Sequence, residues 1–230
     1  MSDGAGQSDE DPVSFAARYF DAVAPFYDAV TSDGAEGWTP NLVLAEVLAT
    51  RLKPGMTALD VGAGTGQTVQ VLLGTLSPSD VTAIDVSEGM LDVLRGRMPD
   101  VRTFEGTIEA FAATRQARPF NLVTAVGALE FVDDLASFFA ASGRLLAPDG
   151  LLAFTYVPSI HFHKLLDPAA AGSERGAGQR DSRFPFKREP GEVARLVAMA
   201  GLEMDRDIEL VAYREGSEPI IYHLVLARRR

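Results

Sequence analysis

The residues best suited to chemistry cluster in Leu59-Asp60-Val61-Gly62-Ala63-Gly64-Thr65-Gly66-Gln67, where a short apolar run gives way to a helical pattern. Glycines at a strand-to-helix turn let the backbone approach a ligand closely, and the helix amides beyond the turn attract negative groups. The same composition also serves as a plain connector. Asp85 stands 19 residues beyond Gly66, at the end of the next apolar run, where an acid can accept both hydroxyls of a ribose. The spacing is not that of a nicotinamide dinucleotide site: a third glycine is wanted three residues after Gly64, at Gln67, and it comes one residue early. No Gly-Lys-Ser/Thr follows, so a nucleoside triphosphate fits poorly. Asp60 would gain nothing beside a pyrophosphate, whereas a ligand ammonium would find a partner in it.

Other candidates lie further along the chain. Glu130 follows the fourth apolar run, and its alternatives are a solvated or capping carboxylate and a role in an acceptor pocket. His161 and His163 follow the fifth run; imidazole titrates near pH ~6.5, so either could take up a proton. Two histidines two apart in extended chain also raise a metal site, but no nearby Asp or Cys completes a ligand set, and no metal is expected. Residues 158–189 carry six basic and four acidic side chains, a local +2 against −13 for the rest. A mildly basic flap, with Phe184 and Phe186 as an apolar wall, suits an anionic acceptor; a solvated loop without ligand contact is the alternative.

The elements that must position these residues alternate regularly. Met56–Val61, Asp80–Val86, Val101–Phe104, Phe120–Val126 and Leu151–Val157 are too short for helices and are expected as strands. Between them, residues 66–74, 87–98, 107–116 and 133–146 have helical spacing, with Ser87 placed to cap the second of these and Pro148-Asp149-Gly150 forming a turn. The pattern predicts an α/β fold with a doubly wound, mostly parallel seven-stranded sheet. Arg206–Tyr213 and Ile220–Leu226 form its antiparallel C-terminal pair, preceded by a helix over 192–200. Upstream, Phe15, Tyr19, Val23, Phe26, Tyr27 and Val30 predict an amphipathic helix broken near Pro25, and Thr39-Pro40 starts a second that runs to Leu52. Residues 13–52 thus supply cap helices on a single domain over 13–230, with 158–189 as a lid or acceptor-binding insertion. Residues 1–12 are expected as a disordered acidic tail.

Composition narrows the partners. The 230 residues carry 32 acidic and 21 basic side chains, a net charge of −11, which disfavours nucleic acid and anionic membrane surfaces. No cysteine is present, which removes thiol nucleophiles and thiolate metal sites. The polar N-terminus and the lack of a long apolar run predict a cytoplasmic protein. A monomer or a homodimer is expected.

A ligand with a ribose, a cationic amino-acid end and no phosphate satisfies the glycine loop, Asp60 and Asp85 together, and S-adenosylmethionine is one. Over residues 15–157 the sequence resembles the class I S-adenosylmethionine-dependent methyltransferases, in particular the small-molecule branch of the ubiquinone and menaquinone type. The resemblance implies a Rossmann-like methyltransferase fold, S-adenosyl-L-methionine as cofactor, and methyl transfer to the oxygen, nitrogen or activated carbon of a small organic acceptor, in secondary or quinone-like metabolism. It places Gly62, Ala63, Gly64 and Gly66 around the methionine part with Asp60 near its amino group, Asp85 on the ribose, and Val86 or Met90 against adenine. Glu105-Gly106-Thr107-Ile108 falls where the family has glycine then aspartate; Thr107 stands in for the acid, and the Ile108 backbone is expected to share its role. Phe120–Phe131 matches the fourth-strand motif with Asn121 in place of an aspartate, bringing Val126 to the cofactor. The helix containing Tyr19 and Tyr27 is implied to cover it. Positioning can supply most of the acceleration of such a transfer, so His161, Glu130 and His163 are needed only where the acceptor must lose a proton. The alternative is a non-catalytic cofactor-binding or regulatory protein on the same fold.

Overall fold

The computed structural model describes residues 11–32, 39–114, 117–159, 186–215 and 217–230. Most of the expected tail and most of the expected insertion, including His161, His163 and Phe184, lie outside the described residues. Among the described residues, seven strands form one sheet: β1 (Ala58–Val61), β2 (Val81–Asp85), β3 (Arg102–Glu105), β4 (Phe120–Ala125), β5 (Leu146–Tyr156), β6 (Leu202–Glu215) and β7 (Glu218–Arg229). Their order across it is β3-β2-β1-β4-β5-β7-β6. The first five run parallel, and β7 lies antiparallel between β5 and β6.

The apolar runs are continuous because both faces of the sheet are covered. Leu59, Val61, Val123 and Phe154 point to one face, against Phe111 and Phe138 of α6 (Ile108–Ala112) and α7 (Leu135–Leu145) and Val197 of α8 (Pro190–Met199). Their neighbours Ala58, Leu122 and Ala153 point to the other face, against Leu44 and Leu72 of α3 (Thr39–Leu48) and α4 (Gln67–Leu73). The alternation along each strand is that of a pleated ribbon.

Several boundaries move. Asp11 and Pro12, expected in the tail, belong to α1 (Pro12–Val23): the Asp11 carboxylate accepts the N–H groups of Val13 and Ser14 at 3.1 Å, capping the helix. The break at Pro25 is a 3₁₀ turn, Ala24–Phe26, leading into α2 (Tyr27–Ser32). The second helix stops at Leu48, short of Leu52. The expected turn at Pro148-Asp149-Gly150 lies within β5 as an irregularity between pairs Phe120↔Leu146 and Leu122↔Leu151, with Asp149 at φ 61°. β6 and β7 extend beyond their apolar centres because cross-strand backbone pairing persists where the side chains are charged.

Glu88–Arg97 forms α5, whose N-terminus is capped by Ser87 accepting from Met90 N–H at 3.1 Å. Gly66, at φ 96°, faces α5: a Cβ there would lie 2.2 Å from Met98 Cε and 3.2 Å from Leu94 Cγ. Its last-in-line position therefore serves the packing of α4 against α5. Gly66→Ala is expected to lower unfolding free energy by about 1–3 kcal/mol, measured by denaturant titration; an unchanged midpoint would contradict this account.

Candidate active site

A cavity of about 1550 Å³ opens at the carboxyl ends of the parallel strands and is roofed by α1, the 3₁₀ turn and α2. Doubly wound sheets bind ligands at this edge. All the residues expected at the cofactor line it except Asp60 and Gly66: the Gly62-Ala63-Gly64 turn, Asp85, Val86, Met90, Gly106, Thr107, Ile108, Val126, Tyr19 and Tyr27. Gly62 has φ 67°, and a Cβ there would come within 2.6 Å of Ala128 Cβ. The turn can lie this close to the segment after β4 only without a side chain.

Asp85 organises the turn. One carboxylate oxygen accepts the Gly64 N–H and the other the Ser87 N–H, both at 2.8 Å. Burial raises its pKa, opposed by these backbone donors. Each oxygen retains acceptor capacity toward the cavity, which fits a vicinal diol. Asp60 lies under the turn, 1% exposed. Its Oδ1 accepts the Thr124 hydroxyl at 2.6 Å, and its Oδ2 is buried with no hydrogen-bond partner. Burial pushes its pKa up to about 7, and the Asp85 charge adds to the effect. A buried carboxylate left half-satisfied is costly unless a cation or donor completes it. The orphaned oxygen thus fits a ligand ammonium acting through the turn or a water. Thr107, expected at adenine, caps α6: its hydroxyl accepts the Ala110 N–H at 3.2 Å.

The roof is fastened by two carboxylates that sequence analysis had not singled out. Asp21 accepts from the Ser87 hydroxyl at 2.6 Å and the Gly89 N–H at 2.9 Å. Asp28 accepts from the Thr65 hydroxyl at 2.6 Å and Gln67 Nε2 at 3.2 Å and pairs with Arg97. Burial opposes ionisation of Asp28, but these partners outweigh it and its pKa falls. Their only sequence signal was an acid inside an apolar stripe. Tyr19 sits 44% exposed at the cavity mouth. Tyr27 is deeper, and its pKa is pushed up to about 12, first by burial and then by the charges of Glu130 and Asp85.

Glu130 occupies the 3₁₀ turn Leu129–Phe131 and is 1% exposed. The solvated alternative for this residue therefore does not hold. Its backbone carbonyl accepts the Phe186 N–H at 3.1 Å, and burial pushes its side-chain pKa up to about 7. The Tyr222 hydroxyl, which sequence analysis missed, leans on this carboxylate closely enough to lower its pKa, yet neither oxygen closes a hydrogen bond of normal geometry. Tyr222 itself lines the cavity. The two ends of the 158–189 segment meet here, with Ser159 N–H to Arg188 O and Arg188 N–H to Val157 O, both 2.9 Å. No cluster able to hold a metal ion occurs among the described residues. Among them, no helix is long and apolar enough to cross a membrane.

Comparison with known proteins agrees with this geometry. A family model described as a methyltransferase domain matches residues 59–152. A ubiquinone biosynthesis O-methyltransferase of Thiobacillus denitrificans is 30% identical over 220 residues, covering 84% of this chain and 91% of that protein. A malonyl-[acyl-carrier protein] O-methyltransferase of Halorhodospira halophila is 31% identical over 184 residues, 76% of this chain, which spans 58% of that relative's length. In three dimensions, magnesium protoporphyrin IX methyltransferase from Synechocystis, solved with bound S-adenosylmethionine, superposes with a TM-score of 0.69 at 12% identity, covering 98% of this chain and 100% of that one. With the glycine turn, the Asp85 anchor and the strand order in place, the chain belongs to the class I S-adenosylmethionine-dependent methyltransferases.

Proposed function

We propose that the chain transfers a methyl group from S-adenosylmethionine to a small organic acceptor at oxygen, nitrogen or an activated carbon. The observation that carries this reading is one cavity lined both by the Asp85 carboxylate, whose two oxygens fit a diol, and by a second polar centre at Tyr222. When bound, the cofactor supplies a sulfonium methyl already activated for displacement. Toward the cofactor the chain's share is positional. Asp85 would hold the ribose hydroxyls, the Gly62-Ala63-Gly64 turn would face the methionine part, and Gly106, Ile108, Val86 and Met90 would form the adenine slot. The Asp60 carboxylate would complement the ammonium through the turn.

Tyr27 stands within electrostatic reach of both Asp85 and Glu130, so the roof helix spans the cofactor and acceptor halves. The fastening of that roof by Asp21 and Asp28 supports a site that excludes water once both ligands are in. The reading predicts tight binding of S-adenosylhomocysteine by calorimetry and, with labelled S-adenosylmethionine and a metabolite panel, label on a small product. Binding without transfer across a broad panel would instead favour a non-catalytic cofactor-binding protein; absence of binding would overturn both readings.

A further inference from the structure

The acceptor end of the cavity contains a pairing that cofactor binding does not use. Tyr222 is 1% exposed yet lines the cavity, so only an edge of the residue meets the open space. Behind it lies Glu130, with both oxygens buried and without a hydrogen bond of normal geometry. Such a carboxyl is costly for structure alone; native proteins leave few buried polar groups in this state. The cation nearest in effect is Arg188, but its guanidinium is turned to the backbone carbonyls of Val132 and Asp133 and lies 4.8 Å from the centre of the Phe186 ring. Arg188 therefore influences Glu130 from a distance. No described ion pair joins the two.

The pair reaches the ligand-binding edge through the topology. Because β7 runs antiparallel beside β5, with Tyr156 opposite His223, Tyr222 lies just past the carboxyl end of β5. Glu130 lies just past the end of β4. The titratable groups acting on the pair are Tyr27 from α2, Tyr213 from β6 and Arg188 from the segment before α8.

Two further features restrict the acceptor. The charged side chains lining the cavity are Asp85, Glu109, Asp133 and Asp134 against Arg214 among the described residues, a field that repels carboxylates. This runs against the anionic acceptor expected from the basic character of 158–189, most of which lies outside the described residues. The walls beside the pair are aromatic: Phe20 packs edge-on to Phe131 at 5.0 Å and to Tyr27 at 6.2 Å.

We propose that Tyr222, backed by Glu130, is the proton-accepting group of this site, and that it takes an uncharged hydroxyl borne on an aromatic body. The inference rests on the methyl-transfer reading. In the step, the acceptor oxygen forms its bond to the methyl carbon as the carbon–sulfur bond breaks, leaving a neutral thioether. The acceptor's O–H proton passes to the Tyr222 oxygen while the Tyr222 proton passes to the Glu130 carboxylate. Glu130 ends as a neutral acid and returns its proton to water after product leaves. Tyr222 is the catalytic residue and Glu130 the positioning and proton-receiving one. A carboxyl that titrates near neutrality is suited to that cycle.

The test uses the whole chain, Tyr222→Phe and Glu130→Gln, with phenol and benzoate as probes. In protein carrying carboxyl-labelled glutamate, nuclear magnetic resonance is expected to show one carboxyl titrating near 7. That signal disappears in Glu130→Gln and moves to higher pH in Tyr222→Phe, because the hydroxyl that lowers it is gone. Calorimetry on protein saturated with S-adenosylhomocysteine is expected to show phenol binding weakened about tenfold or more in both variants, with benzoate bound by none. An unmoved glutamate titration in Tyr222→Phe overturns the proposal. So does equal phenol binding in all three proteins, or no phenol binding by the saturated wild type. Failure of wild type to bind S-adenosylhomocysteine overturns the cofactor reading instead, and the resonance measurement still decides whether the two residues act together.

Discussion

Replacing Asp85 by asparagine is expected to lower affinity for S-adenosylhomocysteine about a hundredfold or more, because the change acts twice. An amide keeps one acceptor oxygen and turns an NH₂ group toward a backbone N–H, so either the Gly64 or the Ser87 contact becomes donor against donor. The first contact shapes the glycine turn, and the second leads into the N-terminus of α5. The amide also accepts less strongly from the ribose hydroxyls. Hydrogen bonds to charged groups contribute roughly 1.5–3 kcal/mol each, and losing about 3 kcal/mol is about two decades of affinity. Calorimetric titration measures this directly, with circular dichroism to show that the variant is folded. A loss of threefold or less would mean that Asp85 serves the turn and not the ligand.

The second large effect concerns stability without ligand. Asp60 has an ordinary pKa of 3.8 and one of about 7 in the folded chain, first because it is buried. Below 3.8 the group is protonated in both states and makes no difference. Between 3.8 and about 7 the native chain keeps a proton that the unfolded chain has released, so unfolding free energy falls as pH rises. Above about 7 the full cost of a buried charge is present. Asp60→Asn lacks this titration and can still accept from Thr124. Relative to wild type, the variant is expected to gain about 2–3 kcal/mol on going from about pH 5 to about pH 8. Urea unfolding at the two pH values checks it; parallel changes in both proteins would show that the carboxylate is solvated or already paired.

That the glycine turn and Asp85 come together at one cavity, with Asp60 beneath, could be inferred from the sequence because the constraints are local. A glycine turn, an acid two residues before it and an acid closing the next strand lie within single strand–turn–helix units, so type and spacing carry the geometry. Gly66 shows the limit: one residue of displacement in the glycine pattern turns it from the cavity to Met98 and Leu94. Thr107 shows another, since a side chain expected at adenine is engaged in capping a helix. The end of the cavity with Tyr222 and Glu130 depends on contacts remote in sequence. Tyr222 sits in an ordinary β pattern, and nothing nearby announces that β7 enters the sheet between β5 and β6. Asp21 and Asp28 acquire meaning only when the roof helices meet Ser87 and Thr65, 66 and 37 residues away.

That insertion of β7 has a consequence for how the molecule is made. During synthesis β6 leaves the ribosome before the strand that joins it to the sheet, and it has no other strand neighbour in the final order. The five parallel strands, with the glycine turn and Asp85 among them, can assemble while β6 waits as an unpaired ribbon. Docking of β7 then completes both hydrogen-bonded seams in one event. In that order the cavity edge with the glycine turn and Asp85 forms first, and Tyr222 comes to Glu130 only when β7 docks beside β5.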